Sequence, residues 1–313
     1  MSIYGWFTGR GQTGFGYNST AEEVTDGLDL SGKTYLVTGC NSGLGLETSR
    51  VLALRGGRII GLARTEDKAR TALASIPGHD HVPVACELSD PASVYDAAES
   101  IAATGVTIDA LIANAGIMAL PELKQAHGYE LQFFTNHIGH AQLVEGLIDW
   151  LADDGRVVML SSGAHRNAPA AGIEFDNLSG DRNYSAWTAY GQSKLANLLY
   201  AKQLATRFEG SDRTANAVHP GVIWTNLGRH MPGLVSLIVP IARAAFMKTV
   251  EQGAATQVYV ATHPDAARIS GEYWDDCNPG SASPQGRDQA LAARLQERTE
   301  AILAEISPES APG

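Results

Sequence analysis

From residue 33 onward, short β-branched and aliphatic runs take turns with stretches of helical period, and this alternation restricts the fold more than any other property of the chain. "TYLVTG" precedes a helical segment at 43 to 55, "RIIGLA" one at 66 to 76, "VPVAC" one at 91 to 104, and "DALIANAG" one at 127 to 151. "RVVMLSS", a helix at 186 to 208, "TANAVHPG", a helix at 251 to 262, and "GEYWDD" continue the series. Strands joined through helices run parallel by right-handed crossovers, and successive crossovers cover both faces of one sheet. The expected fold is α/β: a single doubly wound domain with a parallel seven-stranded sheet flanked by helices. With 313 residues and 44% apolar content the chain can bury one large core.

The expected organisation has three parts. Residues 1–30 form an irregular N-terminal arm with a short helix, which Ser19 and Glu22 would open as a capping box. Residues 31–284 form the main domain, and residues 285–313 a C-terminal helix and tail, the period being clearest at 286 to 306. Charge and cysteine usage narrow the partners. A net charge of -11 with 23 Lys plus Arg speaks against nucleic acid, because phosphate binding needs a basic face. Three cysteines, Cys40, Cys86 and Cys277, give neither a metal spacing nor an even disulfide set, which fits a reducing, cytoplasmic setting. The start "MSIYGWFTGR" is not a secretion signal, and the tract "LVSLIVPIARAAF" is broken by Ser236, Pro240 and Arg243, so no membrane span is expected. His137 and His140 lack a completing carboxylate or thiol, and no metal site is expected.

Two glycine patterns compete as a phosphate loop. Gly9, Gly11 and Gly14 have the spacing G-x-G-x-x-G, yet no strand leads in and no helix leads out, so we treat them as chance. "TGCNSGLG", with Gly39, Gly43 and Gly45, follows the strand "TYLV" and opens a helix. Glycines there let the backbone turn tightly and approach a pyrophosphate held on the helix N-terminus, with Asn41, Ser42 and Leu44 in the same loop. That is the dinucleotide site of a Rossmann domain. A tight turn without a ligand is the competing reading.

In "TAYGQSKLANLL", Tyr190 and Lys194 lie four apart, on one face of a helix. A phenol with a free pKa near 10 serves as an acid–base group at neutral pH only when its phenolate is stabilised, and an ammonium beside it does that. Alternatively, Tyr190 is a core aromatic and Lys194 a snorkelling surface residue.

Taken together, "TGCNSGLG", "ANAG" at 113 to 116, Y-x-x-x-K at 190 to 194 and "HPG" at 219 to 221 resemble the short-chain dehydrogenase/reductase family. "NHIGHAQL", "SSGAHRNA" and "AVHPGVIWTNL" resemble its retinol-dehydrogenase-like branch. The resemblance covers about residues 30 to 280 and implies a nicotinamide cofactor. It implies that Lys194 also holds the nicotinamide ribose, that Ser162 holds the substrate oxygen, and that Asn136 holds a water relaying protons to Lys194. Ser161 is the alternative hydroxyl, and Asn136 can instead bond backbone. It further implies that Asn114, Ala115 and Gly116 line the cofactor, that Pro220, Gly221, Val222 and Thr225 form the turn near the nicotinamide, and that Glu87 and Leu88 stand near adenine. A homo-oligomer is implied as well, a dimer paired through the helices at 127 to 151 and 186 to 208.

At the end of the second strand, where NAD-type enzymes carry an acidic residue, this chain has Ala63 followed by Arg64. A guanidinium there can grip a 2′-phosphate, so NADP(H) is preferred and NAD(H) possible. The stretch at about 225–250 stands where the family puts its substrate lid. Trp224, Met231, Leu234, Leu237, Ile238 and Phe246 there offer a wall for a bulky hydrophobic ketone or aldehyde and its alcohol. The expected activity is that of a carbonyl reductase or alcohol dehydrogenase, and the alternative is a dinucleotide sensor without turnover.

Overall fold

The computed structural model describes residues 9–223 and 247–307. Its sheet is built from β1 (Thr34–Thr38), β2 (Arg58–Ala63), β3 (Val82–Ala85), β4 (Ile108–Ala113), β5 (Leu151–Leu160), β6 (Thr214–His219), β7 (Tyr273–Asp275) and β8 (Asn278–Pro279), in the order β8-β7-β6-β5-β4-β1-β2-β3. The seven strands expected from the sequence run parallel, and β8 pairs antiparallel with β7 at the edge. A two-residue strand ending in Pro279 carries no periodicity, so only the fold reveals it.

The helices are α1 (Ala21–Val24), α2 (Gly43–Leu54), α3 (Glu66–Leu73), α4 (Pro91–Ala102), α5 (Gly139–Leu147), α6 (Ala186–Arg207), α7 (Val250–Thr262) and α8 (Gln289–Glu305). Side chains alternate between the two faces of the sheet. Tyr35, Val37, Ala110, Ile112 and Val158 pack under α2 and α7, while Leu36, Leu111, Val157 and Met159 pack under α4, α5 and α6. Several starts are fixed by caps, with Thr65 accepting from Lys68 N, Asp90 from Ala92 N, and Thr249 forming a capping box with Gln252. In α1 the box is one residue later than expected. Thr20 Oγ1 accepts from Glu23 N and Glu23 reaches back to Thr20 N, while the Ser19 hydroxyl turns inward to Gly16 N.

The expected helix at 127 to 151 is broken. A tight hairpin pairs Gln125–Ala126 with Tyr129–Glu130, turning through His127 and Gly128 at positive φ, and a short helix Leu131–Phe133 leads into a π-helical turn, Phe134–Ile138. Such a turn inserts an extra residue while keeping the helix axis, so the apolar pattern does not announce it. Gly139, which follows, lies against the carbonyl of Leu88 with no room for a Cβ.

The residue 9–18 arm folds back on the sheet edge. Asn278 holds it, accepting from Thr13 N and Thr13 Oγ1 (both 3.1 Å) and donating to Phe15 O (3.1 Å). Phe15 meets Tyr259 and His263 edge-on. Gly9, Gly11 and Gly14 are therefore the turns of a docked arm. α8 covers the outer face of α6, Ala292, Leu295 and Ile302 joining Leu195 and Leu199 in one cluster with Phe133 and Ile138. The surface expected to pair two subunits is thus partly occupied by this chain's own last helix.

Candidate active site

The order of the sheet reverses between β1 and β4, and ligands of open α/β sheets bind in the crevice at the carboxyl ends of such neighbours. A cavity of about 570 Å³ lies there. At one end it is bounded by Gly39, Asn41, Ser42, Gly43 and Leu44, and at the other by Tyr190 and Lys194. Gly39 adopts φ +69°, a value that suits glycine, and donates to Leu62 O. A Cβ on Gly45 would run into Gly39 O and the Asn114 amide, so the loop closes only around a glycine. Ser42 caps α2 with its backbone alone, which leaves the first N–H groups of the helix turned toward the cavity.

Asn114 is buried, donating from Nδ2 to Thr38 O (2.8 Å) and accepting from Gln257 Nε2 (3.2 Å). Beside it runs a chain of bonds that links both strand ends to the π-turn. Ala115 N donates to Thr38 Oγ1 (2.9 Å), Thr38 Oγ1 bonds His140 Nε2 (2.8 Å), and His140 Nδ1 donates to Asn136 O (2.9 Å). A carbonyl can only accept, so the His140 proton sits on Nδ1, and the Thr38 hydroxyl is the donor to Nε2. Burial holds His140 neutral, its pKa pushed down to about 4.

Asn136 uses its carboxamide to fix backbone. Oδ1 accepts from Ile117 N (2.8 Å), and Nδ2 donates to Ile117 O (2.9 Å) and Ser193 Oγ (2.9 Å). Both of its amide protons are thereby engaged, so the side chain clamps the β4 exit. Gly116 passes so close that a Cβ would sit 3.1 Å from Asn136 Oδ1 and 3.4 Å from Lys194 Nζ.

Lys194 is fully enclosed. Its Nζ donates to Leu160 O (2.9 Å) and stands 5.7 Å from the centre of the Tyr190 ring, with burial lowering its pKa to about 7. Tyr190 is pushed up to about 12 by burial, the neighbouring Ser162 hydroxyl pulling the other way. Ser162 Oγ accepts from Ala164 N (3.1 Å), which leaves its own proton free to donate. Ser161, the alternative, is buried and spends its hydroxyl on Lys194 O (2.7 Å).

Other expected residues are placed less simply. Glu87 and Leu88 line the cavity, but the Glu87 carboxylate turns back to Ser89 N and Oγ (3.2 and 2.9 Å). Arg64 stands exposed at the cavity mouth beside Ala63, with no ion pair among the described residues. Pro220, Gly221 and Val222 do not line the cavity. Gly221 takes φ +88°, and Val222 is 60% exposed, its carbonyl held by Lys248 N. Thr225 and the lid candidates Trp224, Met231, Leu234, Leu237, Ile238 and Phe246 lie outside the described residues. The sequence reading missed Thr38, His140 and Gln257. His140 stands one helical turn after Asn136, a spacing that could have flagged it.

Comparison with known proteins agrees with this geometry. The model of the short chain dehydrogenase family matches residues 33–176. A chloroplastic short-chain dehydrogenase, TIC 32 B of Brassica napus, is 40% identical over 309 residues, covering 94% of this chain and 96% of that one. The chain belongs to the short-chain dehydrogenase/reductase family. Human retinol dehydrogenase 14 is 33% identical over 88% of this chain and 87% of its own length. Human WW domain-containing oxidoreductase is 35% identical over 92% and 72% respectively, which places this chain beside the retinol-dehydrogenase-like branch. A solved structure from Mycobacterium paratuberculosis of unassigned function superposes with a TM-score of 0.74 at 31% identity, covering 92% of this chain and 98% of that one. No helix among the described residues of the chain is long and apolar enough to cross a membrane.

Proposed function

We propose that this chain is an NADP(H)-dependent oxidoreductase that interconverts a bulky hydrophobic ketone or aldehyde and its alcohol, with Tyr190 as general acid and base. The observation that carries the reading is the meeting of Tyr190 and Lys194 at the far end of a cavity whose near end is the glycine loop, with the Ser162 hydroxyl bonded to Tyr190 from behind the lining. The cavity suits a dinucleotide. Its glycine cradle excludes a Cβ at Gly45, and Thr135 Oγ1, buried in the wall, has no partner among the described residues. Gly39 to Gly45 would hold the pyrophosphate, Glu87 and Leu88 the adenine, and Asn114 to Gly116 with Lys194 the nicotinamide end. Arg64 would take a 2′-phosphate. The bound cofactor supplies or accepts the hydride.

The chain's own residues handle the proton. Ser162, its oxygen engaged by Ala164 N, donates to the substrate oxygen, and Tyr190 gives its phenolic proton to the developing alkoxide. A phenol held near 12 stays protonated at neutral pH, which suits reduction. Lys194 lowers the cost of the phenolate left behind when it is charged. Trp187, 48% exposed on the first turn of α6 and edge-on to Tyr190 at 6.2 Å, gives the entrance an apolar lip. That lip supports a hydrophobic substrate, and the names of the retinol dehydrogenase relatives point the same way. The three cysteines are free and buried, in keeping with the cytoplasm.

The test is an anaerobic titration with each nicotinamide cofactor and a panel of aromatic and long-chain ketones, read at the reduced-nicotinamide absorbance. Tyr190→Phe should keep cofactor affinity and lose roughly 10²- to 10⁴-fold in turnover, the usual worth of a general acid. Cofactor binding without turnover on any ketone would favour a sensor instead.

A further inference from the structure

Two histidines outside the catalytic set converge on one peptide group. His165 Nδ1 lies 2.6 Å from Ser162 O, and because the carbonyl can only accept, the proton sits on Nδ1. Its Nε2 accordingly accepts from Ser283 N at 3.0 Å. From the other side, His219 Nδ1 accepts from Gly163 N at 3.1 Å and from Gly221 N at 3.4 Å, so its proton sits on Nε2. Ser162 C=O and Gly163 N–H are the two ends of the same planar peptide.

We propose that His165 and His219 are positioning residues for Ser162, gripping its following peptide from both ends and so fixing the direction in which its hydroxyl faces Tyr190. The backbone there is extended, φ −163° and ψ 158°, and its carbonyl already accepts from His165 N at 3.0 Å, so the two rings add a second bond to the carbonyl and a bond to the N–H. Each ring is locked in turn. His165 is 1% exposed and stands edge-on to Tyr273 at 4.9 Å, and it ties the serine to the segment leading into α8. His219 ties it to the turn after β6, where a Cβ on Gly163 would lie 3.3 Å from Nε2. Burial keeps both rings neutral. His219 is driven down to about 3, with Lys248, His165 and Arg166 adding to the effect, and a protonated Nδ1 would confront two donors. The proposal rests on Ser162 holding the substrate oxygen, as set out above.

The test uses His165→Leu and His219→Leu beside His165→Asn and His219→Asn, whose amides return a donor or an acceptor near the position of Nδ1. Each is made in the parent and in a Ser162→Ala background. In protein labelled with ¹⁵N-glycine, the Gly163 amide should exchange at least about tenfold faster in His219→Leu than in the parent, with His219→Asn restoring protection. Turnover of the best ketone should fall roughly 10- to 100-fold in either Leu variant with the cofactor KM unchanged, as expected for a misplaced group. The Asn variants should recover most of it. With Ser162→Ala the Leu substitutions should add less than about twofold, since their effect passes through the missing hydroxyl. Unchanged Gly163 exchange in His219→Leu, or an equal loss of turnover in both backgrounds, would overturn the proposal. If the parent turned over no ketone, the proposed function would fail, while the exchange measurement would still decide the grip.

Discussion

Lys194 is a buried base, and its removal should stabilise the protein as it abolishes the chemistry. Burial moves its pKa from 10.5 to about 7. Below pH 7 both folded and unfolded chains carry the ammonium, and the whole cost of burying it is felt. Between pH 7 and 10.5 the unfolded chain binds more protons than the folded one, so stability rises with pH and the cost fades. At about 1.4 kcal/mol per unit, that displacement amounts to roughly 5 kcal/mol at neutral and lower pH. Lys194→Met removes the charge and also the bond to Leu160 O, worth about 1.5 to 3 kcal/mol while charged. Leu160 O still accepts from Asn197 Nδ2 at 3.1 Å, so no carbonyl is left orphaned. The variant should therefore be about 3 kcal/mol more stable than the parent at pH 6, and the difference should vanish or turn slightly negative by pH 10. Urea midpoints for both proteins from pH 6 to 10, with unchanged m-values, measure this. A difference that stays flat across the range, or a variant less stable throughout, would refute the account of Lys194 as a desolvated base.

Three further outcomes are expected. Ala63→Asp together with Arg64→Leu should shift the ratio of kcat/KM from NADP(H) toward NAD(H) by about 1.5 to 3 kcal/mol; an unchanged ratio would place discrimination elsewhere. Pairing of two copies through the helices at 127 to 151 and 186 to 208 should give about twice 33.1 kDa in light scattering, and the mass of one copy would mean that α8, packed on Leu195 and Leu199, closes that face. Asn278→Ala removes three bonds to the arm and should cost about 2 kcal/mol. It should also speed tryptic cleavage at Arg10, whereas equal cleavage rates would show that the packing of Phe15, Tyr17 and Asn18 holds the arm without Asn278.

The seven parallel strands were legible because β-branched runs and helical runs differ in period, and because Thr65, Asp90 and Thr249 mark where helices begin. The glycine loop and the Tyr190–Lys194 pair were legible as local patterns. What the sequence hid depends on distance along the chain or on backbone detail. The π-turn at Phe134–Ile138 keeps its apolar pattern while changing its hydrogen bonds. Thr38 and His140 meet across 102 positions, which no spacing predicts. The capping box slipped because Ser19 and Thr20 each have a glutamate three residues on, and only packing of Ser19 against Gly16 chooses between them. That α8 would lie on α6 was likewise hidden, a tertiary choice made by Ala292, Leu295 and Ile302.

The grip of Asn278 on Thr13 also sets a schedule for the chain's birth. Partners 265 positions apart cannot meet until Asn278 too has left the ribosome. At roughly 5 to 20 residues per second, the arm waits on the order of 15 to 50 seconds with Phe15 unsheltered. Closing so long a loop is slow and entropically costly, so the β1–β4 half can settle before its own beginning is tied down. The arm at residues 9–18 is made long before the partner that gives it its place.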